Sequence, residues 1–216
     1  RKTDLPVRSA YIGITGAHVT FDNKVDYFDS VGGKGVITSE EVDRIPDLVS
    51  AGSGSVGRKV IHALPKTYRV DGYNGISNPT GMHASGLEVS SHVVTAGASF
   101  VKDLESAVTS AGLSVKGMVL EPLASSEAIL TQKEKERGAA IVDIGGGTTD
   151  IVSFKKGAID YTSVIPVGGF QFTNDICITY NTSFYDAEQI KLKYANTEPA
   201  SIDMREEFTL PVINSK

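Results

Sequence analysis

The sequence lacks several features that would assign it to a class at once. It contains one cysteine and no tryptophan, and a single cysteine cannot form an intrachain disulfide, which excludes the disulfide-stapled class. No apolar run approaches the roughly 18 residues that a membrane-spanning helix requires. The formal net charge of −5 provides no surplus of cations, so general binding to nucleic acid is not expected. With 40% hydrophobic and 22% charged residues, the composition is that of an ordinary globular protein.

The residues that often carry catalysis or bind metal are also sparse and scattered. The histidines show no metal-site spacing, so zinc is not expected: His18, His62, His83 and His92. The single Cys177 is expected to pack on a helix face rather than to act as a nucleophile. The charged stretch Gln132–Arg137 is expected to be an exposed helix end. These residues therefore indicate no catalytic group and no zinc site.

The first half of the chain, over residues 7–96, has the pattern of an α+β module. Thr38-Ser39-Glu40-Glu41 has the spacing of a capping box and predicts a helix that stops near Gly52. The other predicted elements are a bent strand (Val7–Thr20), a polar connection (Asp22–Lys34), two strands separated by Pro65 (Lys59–Leu64 and Thr67–Val70), a loop (Asp71–Gly81) and a strand (Leu87–Thr95).

The second half alternates helices and strands. A helix capped by Ser99 is predicted to stop at Gly112, and Pro122 is well placed as the first residue of a later helix. The other predicted elements are strands at Val115–Leu120, Ala139–Ile144, Asp150–Phe154 and Ile159–Val167, helices at Thr173–Tyr180 and Tyr185–Tyr194 (the latter capped by Ser183), and an edge strand at Phe208–Val212.

The sharpest motif is DIGGGTTD, residues 143–150, which lies between two apolar strands. Consecutive glycines allow positive φ and a close approach of backbone amides to phosphate oxygens, and an aspartate at a strand end offers a hard oxygen to Mg²⁺. The alternative is a plain glycine-rich hairpin turn. We predict a phosphate-binding loop, with these residues contacting the ligand or its Mg²⁺: Asp143, Gly145, Gly146, Gly147, Thr148 and Thr149.

Two further motifs follow along the chain. Gly168 and Gly169 precede a predicted helix, and free amides at a helix N-terminus favour an anion; the alternative is an ordinary turn. Glu188 and Lys191 are spaced i, i+3 and share a helix face; the alternative is a solvated surface pair. Each motif alone is weak evidence for ligand binding, and its position after the glycine-threonine loop strengthens that interpretation.

In this order the three motifs resemble the actin and heat-shock chaperone ATPase superfamily. The loop at 145–149 is similar to its second phosphate loop, the glycine pair to the turn that closes over the phosphates, and the Glu-x-x-Lys pair to the one that clasps the adenosine. Further segments resemble the FtsA family of bacterial cell-division proteins: Ala10–Val19, Val60–Gly72, Gly75–Met82, Ala107–Leu113, Leu120–Ser125 and Val164–Ile176.

The resemblance implies an α/β, actin-like ATPase (ribonuclease H-like) fold that is only partly present, with an inserted α+β subdomain called 1C. Residues 1–96 would be this 1C-like interaction subdomain, 97–137 the return into the first large domain, and 138–216 the start of the second. The family's first phosphate loop, adenosine loop and C-terminal amphipathic helix are not visible, so an internal fragment of a longer protein is expected. ATP and Mg²⁺ are the implied cofactors, both requiring those missing segments, with at most slow ATPase activity.

By the same resemblance, the full-length protein would polymerise with itself and link FtsZ, the tubulin-like division protein, to the inner face of the cytoplasmic membrane. Membrane contact would come only through the C-terminal helix, and other division proteins would bind the 1C-like half. One alternative is a PilM-like adaptor of type IV pilus assembly, which shares the core and a similar insert. Another is a sugar or acetate kinase of the same superfamily.

Overall fold

The computed structural model describes residues 6–29 and 35–202, together with residues 205, 207 and 209. The chain divides into two compact units. The described parts of residues 1–143 and the segment Asp150–Ile165 form the first unit. Ile144–Thr149 and the described residues from Pro166 onward form the second. The domain boundaries expected near residues 96 and 137 stay a prediction, and the expected strand at Phe208–Val212 lies almost entirely outside the described residues.

A four-stranded antiparallel sheet covered by one helix forms the insert-like part of the first unit. Its strand order is β2-β5-β3-β4, with β2 at Thr20–Phe28, β3 at Arg58–Val70, β4 at Tyr73–Ile76 and β5 at Leu87–Gly97. Helix α1, Ser39–Ala51, buries Ile45 and Val49 in one cluster with Leu87 and Val89 of β5. Burial of these side chains holds the helix on the sheet.

The start of α1 confirms the predicted capping box. The Glu41 amide donates to Thr38 Oγ1 at 3.2 Å, and the Thr38 amide donates to Glu41 Oε2 at 2.8 Å. Two of the amides that a helix leaves without partners are therefore satisfied locally. The helix ends at Gly52, as predicted.

Three strand predictions in this region are wrong. The segment read as two strands around Pro65 is one strand with a register shift between Pro65 and Thr67, where a proline without an N–H is tolerated. The loop predicted at Asp71–Gly81 contains β4, because Asp71 and Gly72 both adopt positive φ and form a tight hairpin turn. The polar connection predicted from Asp22 is mostly β2, whose solvent-facing residues conceal the strand pattern.

The strand predicted over Val7–Thr20 is shorter than expected, since it ends at Ile14, and it has the predicted irregularity, between Ala10 and Tyr11. Strand β1, Ser9–Ile14, pairs in parallel with β6, Ser114–Leu120, and a turn closed by the Val19 amide on the Gly16 carbonyl at 2.9 Å leads into β2. Helix α2, Ala98–Ser110, begins after Gly97 without a side-chain cap, so the predicted cap at Ser99 is wrong. Helix α3, Glu121–Ile129, begins one residue before Pro122, which was predicted as its first residue and lies in its first turn.

The short helix α4, Gln132–Arg137, follows α3. Its residues are exposed as predicted, apart from Lys135, whose side chain is only 7% exposed and pairs with Glu127 at 2.5 Å. Its ammonium also lies 5.1 Å from the centroid of the Phe154 ring. A lysine in this position is buried because a carboxylate and an aromatic face replace its water.

The remaining elements position the predicted loop and its neighbours. Strands β7 (Ala139–Ile144), β8 (Thr149–Lys155) and β9 (Ala158–Ile165) form a three-stranded sheet. Helices α5 (Gly169–Tyr180) and α6 (Phe184–Tyr194) belong to the second unit, with Ser183 capping α6 as predicted and Cys177 half-buried on α5. No helix in the described part of the chain is long and apolar enough to cross a membrane.

His92 is the most enclosed titratable group of the first unit, with 0% exposure. Its Nδ1 lies 2.8 Å from Asn23 Oδ1 and its Nε2 lies 3.1 Å from Thr162 Oγ1. A neutral ring protonated on Nδ1 satisfies both partners, because the amide oxygen only accepts and the hydroxyl can donate. Burial, aided by the Lys66 charge, lowers the pKa of His92 to about 4.

We predict that His92 makes the fold sensitive to mild acid. Its pKa is about 4 in the folded protein and 6.5 otherwise, so its stabilising effect is present above pH 6.5 and is lost as the pH falls toward 4. At about 1.4 kcal/mol per pKa unit the loss reaches about 3 kcal/mol. Urea unfolding from pH 7 to pH 4 should show a steeper decline for the wild type than for His92→Gln. His83→Gln, at an exposed histidine, should match the wild type; equal slopes for all three proteins would contradict the prediction.

Candidate functional site

Residues 144–149 form a tight loop between β7 and β8. The Gly145 amide donates to the Thr148 carbonyl at 2.8 Å. None of the three glycines has a positive φ, so the predicted conformational reason for them is wrong. Space is the actual reason at Gly146, where a Cβ would lie 2.8 Å from the Phe170 ring, whereas a Cβ on Gly147 would meet no atom within 4 Å.

The loop and the glycine pair are in direct backbone contact within the second unit. The Gly169 amide donates to the Gly145 carbonyl at 2.9 Å, and the Phe170 amide donates to the Gly146 carbonyl at 2.7 Å. A Cβ on Gly168 would lie 2.5 Å from the Gly145 oxygen and 2.6 Å from the Gly146 oxygen. Thus only a residue without a side chain permits this approach, and two of the sequence motifs form one structure.

This contact changes which amides are available to an anion. The glycine pair was expected to offer the free N-terminus of a helix, but the amides of Gly169 and Phe170, in the first turn of α5, are already bonded to the loop. Within the described residues, the amides of Gly146 and Gly147 donate to no backbone carbonyl. With open space beside Gly147, the loop itself is where an anion has room and donors.

Glu188 and Lys191 extend the same structure. Their side chains form an ion pair at 2.7 Å and are 24% and 17% exposed, so they are not the solvated surface pair of the alternative interpretation. Lys191 Nζ also donates to the Gly169 carbonyl at 3.1 Å, which ties α6 to the glycine turn. Hydrogen bonds from Lys191, and secondarily from Thr173, lower the pKa of Glu188.

Asp143 belongs to the first unit, where it takes part in a group of acidic side chains. Ser125 Oγ donates to Asp143 Oδ2 at 2.8 Å, and the 3% exposed Asp150 accepts a hydrogen bond from Thr15. Burial raises the pKa of Glu121, and the negative charges of Asp150 and Asp143 raise it further. The first unit therefore concentrates negative charge around these three carboxyl groups.

Sequence reasoning missed Glu121 and assigned no role to Asp150. A signal was present, because Thr15 and Glu121 immediately follow β1 and β6, and the carboxyl ends of parallel strands, where ligands bind in α/β sheets, meet at one edge. Among the residues that the structure describes, no group of three or more acidic, histidine or cysteine side chains is arranged to hold a metal ion. The roles of Asp143, Thr148, Thr149 and the other predicted ligands in binding stay predictions.

A solved structure first shows the class of fold. The chain superposes on a chain of the PilM–PilN type IV pilus biogenesis complex with a TM-score of 0.61, covering 88% of this chain and 52% of that one at 18% identity. At this identity the likeness concerns the fold alone. It confirms the predicted mixed α/β, actin-like ATPase fold.

Sequence comparisons then show the family. The family model "Cell division protein FtsA" matches residues 140–216, and the model "SHS2 domain inserted in FTSA" matches residues 16–95. The cell division protein FtsA of Pseudomonas aeruginosa is 37% identical over 88% of this chain and 45% of the relative, and that of Escherichia coli K12 is 30% identical over 99% and 50%. Together these matches support a fragment of an FtsA-like protein. It spans about half the length of these curated relatives.

The loop contact predicts different effects for two adjacent glycines. Gly146→Ala places a methyl group against the Phe170 ring, and we expect the free energy of unfolding to fall by about 1 kcal/mol, as for modest overpacking. Gly147→Ala enters open space and should leave stability within about 0.5 kcal/mol of the wild type. Urea denaturation of both variants tests this; equal destabilisation would show that the Phe170 contact does not restrict the loop.

Proposed function

We propose that this chain is part of an ATP-binding, actin-like cell-division protein that polymerises and links the tubulin-like FtsZ ring to the cytoplasmic membrane. The observation that carries the proposal is the joint match of two FtsA family models, one over the insert-like residues 16–95 and one over residues 140–216. Neither match depends on the other, and together they include both the partner-binding insert and the predicted phosphate loop.

The second unit fits the phosphate end of a nucleotide. The amides of Gly146 and Gly147 carry no described backbone partner, and there is open space beside Gly147; two neighbouring amides suit a phosphate oxygen. Thr148 would add a hydroxyl, and the Glu188–Lys191 pair would serve the nucleoside. These residues bind and orient a ligand, so nucleotide would act chiefly by stabilising the conformation that binds it.

One carboxylate of the first unit, that of Asp143, is proposed to contact the cation that accompanies ATP. Mg²⁺ prefers carboxylate oxygens and water, and it would supply positive charge to offset the phosphates. Asp143 is the proposed contact, because Ser125 holds only its Oδ2 and it directly precedes the loop. The residues between Thr20 and Gly97 would serve self-association and the binding of other division proteins. Membrane association would follow from the full-length protein.

A second candidate is a PilM-like adaptor, which the structural superposition favours at the level of fold. The two candidate functions differ in the protein partner that each one requires. We expect the complete natural protein that contains this chain to co-sediment with FtsZ polymers of the same organism and not to bind the short cytoplasmic peptide of a pilus membrane protein. The opposite pattern would replace the first proposal by the second.

The nucleotide part of the proposal is tested by Asp143→Asn, which keeps an oxygen for Ser125 and removes the charge. In the complete natural protein, calorimetry should show tighter ATP binding with Mg²⁺ than with EDTA. In the variant this advantage should shrink at least about tenfold, which corresponds to about 1.4 kcal/mol, because the carboxylate that favours Mg²⁺ is lost.

The matched control is Asp175→Asn, at an exposed aspartate on α5, which should retain the Mg²⁺ dependence. A Mg²⁺ advantage in Asp143→Asn equal to that of the wild type would remove Asp143 from the site. Absence of ATP binding by the wild type would refute the nucleotide proposal itself.

A further inference from the structure

Thr173 lies at the centre of the contacts between α5 and α6 and is 0% exposed. Its hydroxyl donates to Glu188 Oε2 and accepts from Lys191 Nζ at 2.9 Å. A threonine hydroxyl has one donor and two acceptor sites, so this single group bonds both members of the ion pair.

The contacts also use every donor of Lys191. Its ammonium has three N–H groups, and it has three partners: Glu188 Oε2 at 2.7 Å, Thr173 Oγ1 at 2.9 Å and the Gly169 carbonyl at 3.1 Å. Lys191 is therefore saturated by the protein. Glu188 differs, because its Oε1 accepts no hydrogen bond among the described residues.

Glu188 is therefore the member of the ion pair that can still accept a hydrogen bond from a ligand. A ligand group meeting this pair finds a carboxylate oxygen rather than an ammonium hydrogen, and Thr173 and Lys191 fix where that oxygen lies. Lys191, which pairs with the Glu188 carboxylate, also bonds the Gly169 carbonyl. The Gly169 amide in turn donates to Gly145 of the predicted phosphate-binding loop.

We propose that Thr173 is a positioning residue that orients the Glu188 carboxylate toward the nucleoside part of the bound nucleotide. The inference rests on the proposed function, since it assigns a role within the same site. Thr173 Oγ1 lies 3.3 Å from the Gly169 carbonyl, but none of its described hydrogen bonds reaches residues 145–149. We therefore expect its substitution to act mainly at the nucleoside end of the ligand.

The test compares ATP with inorganic tripolyphosphate, both with Mg²⁺, by calorimetry on the complete natural protein. Thr173→Val preserves the shape of the side chain and removes the hydroxyl. We expect its Kd for ATP to rise about tenfold, in the range for lost hydrogen bonds to charged groups, with the Kd for tripolyphosphate unchanged within about twofold. Thr173→Ser restores the hydroxyl and should recover most of the ATP affinity.

A matched control is Thr162→Val, which removes a buried hydroxyl that bonds His92 in the first unit. It should leave the ratio of the two Kd values at the wild-type level. Should Thr173→Val fail to show a cooperative thermal transition, Thr173→Ala is measured in its place with the same expectation.

Each outcome supports or contradicts the positioning role of Thr173. Equal weakening of ATP and tripolyphosphate, or an unchanged ratio, would overturn the positioning role and leave Thr173 a structural contact. Failure of Thr173→Ser to recover affinity would do the same. If the wild type binds tripolyphosphate but shows no preference for ATP, the inference fails while phosphate binding stands; if it binds neither, the proposed nucleotide function fails first.

Discussion

The second unit depends on one constraint, the close approach of the glycine turn at 168–169 to the carbonyls of Gly145 and Gly146. The first turn of a helix leaves amides that need partners, and here the loop carbonyls accept from the Gly169 and Phe170 amides. The approach is closed to any side chain at Gly168, whose Cβ would lie 2.5 Å from a carbonyl oxygen. The shape of the loop and the start of α5 are therefore set together. The position of Lys191 follows, since its ammonium bonds the Gly169 carbonyl.

The same constraint determines which backbone amides remain for the proposed phosphate. A helix N-terminus attracts anions through its free amides and its dipole, yet in α5 these amides face carbonyl oxygens that already supply partial negative charge. The open donors are instead those of Gly146 and Gly147 in the loop. Glycine thus serves two different purposes, one in the turn that precedes α5 and one in the loop. At Gly168 it permits backbone contact, and at Gly147 it leaves space beside an amide.

Local chemistry explains which features could be predicted from the sequence. The capping box of Thr38 and Glu41 and the cap of α6 at Ser183 were predictable because each involves residues three apart. The order of the three motifs indicated the superfamily, and the further segments that resemble FtsA narrowed it to the family that the comparisons support. The parallel pairing of β1 with β6 was not predictable, because nothing within either strand records a partner so distant in the chain. The reason for the glycines, and the role of Thr173 between Glu188 and Lys191, required the packing of α5 on α6.

The two aspartates at the ends of the 143–150 motif both act electrostatically on a third carboxyl group. Asp143 and Asp150 flank the loop in the chain, and both raise the pKa of the Glu121 carboxyl, which burial already raises. Like charges held out of water destabilise one another, and a cation relieves that repulsion. This repulsion lies within the first unit, among the carboxyl groups of Asp143, Asp150 and Glu121. Under the proposed function, a cation that contacts Asp143 would offset part of the repulsion, whereas an anion without a cation would add to it.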